Sequence, residues 1–294
     1  MALPRIAAIV LMLALTVGCG GDAVTARTPA EAVAQRMKGS TGVKVARLVR
    51  LDYGENVFTP PAEDDFIVPV NIGEYSESRT AGVLSAAASD LTTTYYQTNV
   101  PDELKSVFPT DLSYMTTRAI SIAGSGTYRY RADRQDVPAG KSWLHSRSSG
   151  CEQRLRAIGS LGVLDLVSPE VLRKLAAPVP SAGEAIDGVA TVVHAGSSSQ
   201  AEFGIAAPHD DPVLAAQLLK RLGSIQVSWQ LWVGPDRLPR RVRLTFTHPM
   251  AEDNQPKTAV AEVDFTDWGS DVLIDSPPPD QVHETGTCLD PEPY

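Results

Sequence analysis

Three segments near the C-terminal end of this 294-residue chain alternate apolar and polar residues almost without a break, and they constrain the fold more than any other feature. Val227, Trp229, Leu231 and Val233 share one parity. Val242, Leu244 and Phe246 repeat the pattern after the turn from Gly234 to Pro239, and Ala261, Val263 and Phe265 complete the set before Trp268-Gly269. Successive side chains of a strand point to opposite faces, so each segment presents one apolar and one polar face. One wet and one buried face is the pattern of an antiparallel sheet. The apolar face of such a sheet must be covered, so helices are needed as a second layer. The Arg240, Arg241, Arg243 group reads as a strand edge rather than a basic patch.

Upstream segments supply further strands and the covering helices. Val43 to Leu51 is an extended, β-branched run. Ile120 and Ile122, then Gly124-Ser125-Gly126, then Tyr128 and Tyr130 alternating with Arg129 and Arg131, read as a hairpin. Lys141 to His145 and Gly188 to His194 read as two more strands. Thr28-Pro29-Ala30-Glu31 is a helix start, with Thr28 as cap, Pro29 at N1 and Glu31 closing a capping box. Ala30, Val33, Ala34 and Met37 then form one apolar stripe that ends near Lys38-Gly39. Ser168-Pro169-Glu170 opens a second helix carrying Val171, Leu172 and Leu175. Asp211-Pro212 opens a third, with Leu214, Leu218 and Leu222 on one face and Gly223 after it. Residues 53–117 are polar and turn-rich, with a short helix expected after Pro101. The fold class expected is therefore α+β: a long antiparallel sheet with helices on its apolar face.

The N-terminus carries an address. Arg5 precedes Ile6 to Val17, apolar except for Thr16, and Gly18-Cys19-Gly20-Gly21 follows. A charged start, a short apolar stretch and a small-residue cleavage site make a secretory signal over residues 1–18. Its twelve apolar-stretch residues span about 18 Å as a helix, too short for a hydrocarbon core of roughly 30 Å. Cys19 after a small residue resembles the bacterial lipobox, in which the Cys thiol is acylated and becomes the mature N-terminus. The plainer alternative is an ordinary cleaved signal. Acylation by two or three chains would hold the protein on a membrane, at about 0.8 kcal/mol per buried methylene. Residues 19–27 are then lipidated Cys and tether, 28–282 the folded domain, and 283–294 a C-terminal tail.

Two cysteines remain, Cys151 and Cys288. An even pair in an exported domain reads as a disulfide, and the alternative is two free thiols. They have no His partner at zinc spacing. The formal net charge of −9 argues against nucleic acid as a partner. A chain of this length buries enough surface to form a core without metal or disulfide.

Leu238-Pro-Arg-Arg-Val-Arg243, Val263-Asp-Phe-Thr-Asp-Trp-Gly269, Val272-Leu-Ile274 and Ser276-Pro-Pro-Pro-Asp280 together resemble the LolA-like lipoproteins, in particular the LppX/LprG group of actinobacterial envelope lipoproteins. Gly140-Lys-Ser-Trp143 and Gly188-Val-Ala-Thr191 resemble that family's middle strands. The resemblance covers residues 28–282. It implies a sheet curved into an open half-barrel with helices in its concave side, and a space between them that holds acyl chains. It implies a lipid or glycolipid as ligand and the outer face of the cytoplasmic membrane as location.

Signals for catalysis are weak. No G-x-S-x-G elbow is present; Gly196-Ser-Ser-Ser199 lacks the second Gly and reads as a loop. His145, His194, His209, His248 and His283 are scattered, and Asp211 beside His209 is explained as a helix cap. Gly124-Ser-Gly126 lacks the Lys and helix that a phosphate loop requires. No enzyme, no metal site and no cofactor are expected. The residues singled out for a ligand cavity are Leu172, Leu175, Leu214, Leu218, Trp229 and Leu231, although the same side chains suit a dry core. Two readings follow: a carrier of an acylated ligand, or an envelope interaction or sensor lipoprotein with the same fold packed solid. An envelope hydrolase is a third, and it would need a Ser or Asp beside one of the histidines.

Overall fold

A computed structural model of the chain describes residues 26–52, 75–97, 116–131, 137–147, 166–200, 225–247 and 258–285. The expected first helix is α1, Pro29–Arg36, with Thr28 extended as its cap and its hydroxyl accepting from Glu31 N–H at 3.2 Å. The Glu31 carboxylate accepts from Arg27 N–H at 2.7 Å, one residue before the expected capping-box partner. Strands β1 (Thr41–Asp52), β2 (Tyr75–Ser85) and β3 (Ala88–Gln97) follow. The hairpin is β4 (Thr117–Ile122) and β5 (Gly126–Arg131). Gly124 and Gly126 take the positive φ that its turn requires. Then come β6 (Trp143–Ser146), α2 (Pro169–Leu175), β7 (Ser181–Ala182) and β8 (Val192–Ser199). Strands β9 (Gln226–Val233), β10 (Pro239–Thr247) and β11 (Thr258–Asp271) are the three alternating segments. A 3₁₀ turn, Pro279–Gln281, leads into β12, Val282–Glu284.

All twelve strands form one sheet in the order β12-β6-β5-β4-β3-β2-β1-β11-β10-β9-β8-β7. Among the described residues it is open, since β12 and β7 are its edges with no pairing between them. Two meanders, β1 to β6 and β7 to β11, are joined where β1 pairs β11 along its length. Every pairing is antiparallel except that of β12 with β6, which is parallel. The described residues therefore form a long, mostly antiparallel sheet with two helices.

Several expectations need correction. The segment from Gly188 is a tight turn, with Ile186 bridged to Val189 and positive φ at Asp187 and Gly188. The strand begins at Val192 and runs through Gly196-Ser-Ser-Ser199, which is ladder rather than loop. Arg240, Arg241 and Arg243 lie on an interior strand, because β10 is paired on both sides. The polar residues 75–97, not legible as strands, are two of the longest ladders in the sheet. Residues His283 and Glu284, assigned to the tail, are paired with β6. The helix expected after Pro101 lies outside the described residues, as does the helix from Asp211.

Register assigns the faces. Val43 and Val45 lie on the face of Leu84 and Leu91, and of Val227, Leu231, Val242, Leu244, Val263 and Phe265. These side chains cluster with Ala32 and Val33 of α1 and Leu172 and Leu175 of α2. At roughly 25 cal/mol per Å² of apolar surface removed from water, this layer is the main source of stability. The opposite face carries charge ladders. Arg241 donates to Asp264 at 2.6 Å, and Glu77 accepts from Arg50 at 3.0 Å and from Arg79 at 2.7 Å.

Glu77 gives a pH prediction. Burial of its side chain pushes the carboxyl up, but hydrogen bonds and charge from Arg50 and Arg79 outweigh this and hold it below the usual carboxylate range. A carboxyl depressed by folding contributes stability above its unfolded pKa and loses it as pH falls through the folded one. Glu77→Gln is expected to cost on the order of 1 kcal/mol at neutral pH, because both arginines are largely solvated. The difference from the parent, read by urea titration, should close in strong acid. An undiminished difference there would refute the ion-pair account.

Candidate functional site

The inner face of the sheet, meaning the face that shares the apolar cluster with the helices, has two chemically distinct halves. Over β1 and β9 to β11 it is mainly apolar, with Arg47 of β1 sharing its parity, and β8 adds Val192, His194, Gly196 and Ser198 to it. Trp229 is central: its indole N–H donates to the Leu175 carbonyl at 3.2 Å, tying β9 to the last turn of α2. Opposite it on β8 stands Gly196. A Cβ there would lie 2.4 Å from the indole ring, so only glycine leaves room for the tryptophan. Ser168 caps α2, its hydroxyl accepting from Val171 N–H at 3.2 Å, and so sets the helix over these strands.

Over β2 to β6 the same face is rich in hydroxyls. Thr80 and Thr93 are bonded to each other at 2.9 Å, and Ser121 and Thr127 at 3.0 Å. Ser89, Ser146 and Arg129 share that face by register and are buried. Cross-strand pairing satisfies part of this polar layer, which is why it tolerates burial.

Four of the six residues singled out for a cavity are thus brought together. Leu172, Leu175, Trp229 and Leu231 all belong to one buried cluster, with Leu172, Leu175 and Leu231 wholly inaccessible. Leu214 and Leu218 lie outside the described residues, as do Cys19, Cys151 and Cys288. Sequence reasoning missed the hydroxyl half because alternating Ser and Thr with small residues carries little hydrophobic signal. The β-branched threonines of β3 were the available clue.

Two of the described histidines are hydrogen-bonded. His145, buried at 3% exposure, has Nε2 at 2.8 Å from the Ser125 carbonyl and Nδ1 at 2.9 Å from a Glu284 carboxylate oxygen. His194 donates from Nδ1 to the Pro178 carbonyl at 2.7 Å. Among the described residues no group of three His, Cys, Asp or Glu is placed to hold a metal ion. Likewise, no described helix is long and apolar enough to cross a membrane.

Fold and site together define the class as a long open sheet, mostly antiparallel, with an inner face that is mainly apolar on one side and rich in hydroxyls on the other. No family model matches the chain, and no curated protein matches it. Among solved structures it is similar to a DUF1329 family protein from Desulfovibrio piger, at 10% identity over 84% of this chain and 95% of that one, with a TM-score of 0.29. A likeness of that size carries no argument about fold or function.

Proposed function

We propose that this chain is an exported, lipid-anchored envelope protein of LolA-like architecture that binds or carries an acylated, hydrophobic ligand between its helices and the inner face of a curved sheet. The observation that carries the reading is the amphipathic division of that inner face. A mainly apolar half suits acyl chains and an adjoining half richer in hydroxyls suits a polar headgroup, the two demands an amphiphile makes of one site. Anchoring rests on the lipobox at Cys19. No covalent chemistry is part of the proposal.

Chain length supports the curvature. β11 and β12 are seven strand spacings apart in the sheet order, roughly 34 Å across a flat sheet. Ten residues, 272–281, join them and include a 3₁₀ turn. The eleven steps from residue 271 to residue 282, eight at roughly 3.4 Å and three at roughly 2.0 Å, reach about 33 Å. That leaves nothing for the offset along the strands, since Asp271 stands opposite Thr41 at one end of β1. The chord of a half-barrel is shorter than its arc, so a concave sheet brings both ends within reach.

The second reading, a solid-core interaction or sensor lipoprotein, is favoured by one observation: Val43, Val227, Leu231, Val242 and Leu172 have no accessible surface at all. One experiment separates the two. Protein lacking residues 1–19, expressed in a lipid-rich host and purified, is extracted with organic solvent and the extract analysed by mass spectrometry. A stoichiometric acylated species is expected. A clean extract from folded protein would overturn the carrier reading in favour of the solid core.

A further inference from the structure

We propose that β12 is a proton-controlled latch, which fastens the far end of the 272–281 strap to the edge strand β6 through a doubly protonated His145. The inference rests on donor and acceptor chemistry and is independent of any ligand. The Ser125 carbonyl can only accept, so Nε2 of His145 must carry a hydrogen. The Glu284 carboxylate, which faces Nδ1, also only accepts when ionised. Glu284 is ionised at neutral pH, since hydrogen bonding from His145, helped by Arg147, holds its carboxyl below the usual range. With an acceptor on either side, the His145 imidazole of the proposed latch has a hydrogen on each ring nitrogen.

Its surroundings are suited to that charge. The Tyr128 ring on β5 stacks on it with centroids 4.0 Å apart and planes within 7°. Arg147, just past β6, shares Glu284 at 3.1 Å, and the Arg118–Asp90 ion pair lies further along β4 and β3. His283 falls on the opposite face of β12, beside Leu144. Backbone and side-chain bonds also hold this edge. Thr285 N–H donates to the His145 carbonyl at 2.8 Å, Ser142 N–H to the Gln281 carbonyl at 2.9 Å, and Lys141 Nζ to the Asp280 carbonyl at 2.9 Å.

Loss of the imidazolium proton leaves one ring nitrogen bare against an acceptor: a hydrogen bond becomes a lone-pair repulsion, and the charge attraction to Glu284 disappears. β12 meets β6 through a parallel ladder of only three residues, so this change is large beside it. Release of β12 would free the strap and expose the β6 edge, an open template for another strand.

The test is amide hydrogen exchange by NMR on the mature chain, corrected for intrinsic rates, at about pH 5.5 and about pH 8.5. Protection of Thr285 and Ser142 should fall roughly tenfold at the higher pH, with the β1–β11 ladder unchanged. In Glu284→Gln the carboxamide can offer oxygen to Nδ1–H or nitrogen to bare Nδ1, so the pH step should vanish. Glu284 is more than half exposed, so this variant keeps the fold. Protection independent of pH in the parent, or an equal step in Glu284→Gln, would overturn the latch.

Discussion

Replacing Trp229 by alanine should lower the unfolding free energy by about 3–5 kcal/mol, the range for a large aromatic removed from a core. The residue sits between α2 and β8, is almost wholly buried, and belongs to the apolar cluster that joins both helices to the sheet. Two losses combine. The void left by the indole cannot be refilled from β8, because Gly196 has no side chain to contribute. The Leu175 carbonyl at the helix end also loses the indole N–H that it accepts. Urea unfolding followed by far-UV circular dichroism measures the change. A cost below about 1 kcal/mol would mean that α2 is not held to the sheet through this residue.

The second large effect is a coupling. Gly196→Ala should cost about 1–3 kcal/mol, the usual range for overpacking, because its Cβ would lie 2.4 Å from the indole ring. A flexible side-chain tip could swing away, but this ring is tied to the Leu175 carbonyl and enclosed. In a Trp229→Ala background the clash disappears and the methyl group enters the void. There Gly196→Ala should be neutral or stabilising. The double-mutant cycle then gives an interaction term of at least about 1 kcal/mol. Additive costs would show that the glycine is required for its backbone and not for the room it leaves.

These effects rest on contacts that periodicity alone could not place, whereas much of the framework was legible. Alternation assigned Val227–Val233, Val242–Phe246 and Ala261–Phe265 to strands with the correct inward parity. Thr28-Pro29 and Ser168-Pro169 marked helix starts, because a capping hydroxyl and a proline at the first turn act locally. Residues 75–97 were not legible. Their strands are rich in Ser and Thr, bring only Leu84 and Leu91 to the apolar cluster, and are held by ladders to β1 and β4. At the candidate site, Leu172, Leu175, Trp229 and Leu231 were identified from sequence as inward-facing. The hydroxyl half was not, since buried Ser and Thr look like any solvated strand until their cross-strand partners are known.

The sequence by itself determined the local elements: which residues alternate, where α1 and α2 begin, where glycine must turn the β4–β5 hairpin, and the N-terminal motif around Cys19. All of these follow from interactions spanning a few residues. Only the tertiary structure decided the sheet order, the pairing of β1 with β11 more than two hundred residues away, the fit of Gly196 beneath Trp229, and the return of β12 to β6. Pairing between distant strands is set by the whole set of competing ladders and by the burial that the best arrangement achieves. No window of sequence encodes that choice, and so His145 and Glu284, 139 residues apart, read as unrelated until the chain is folded.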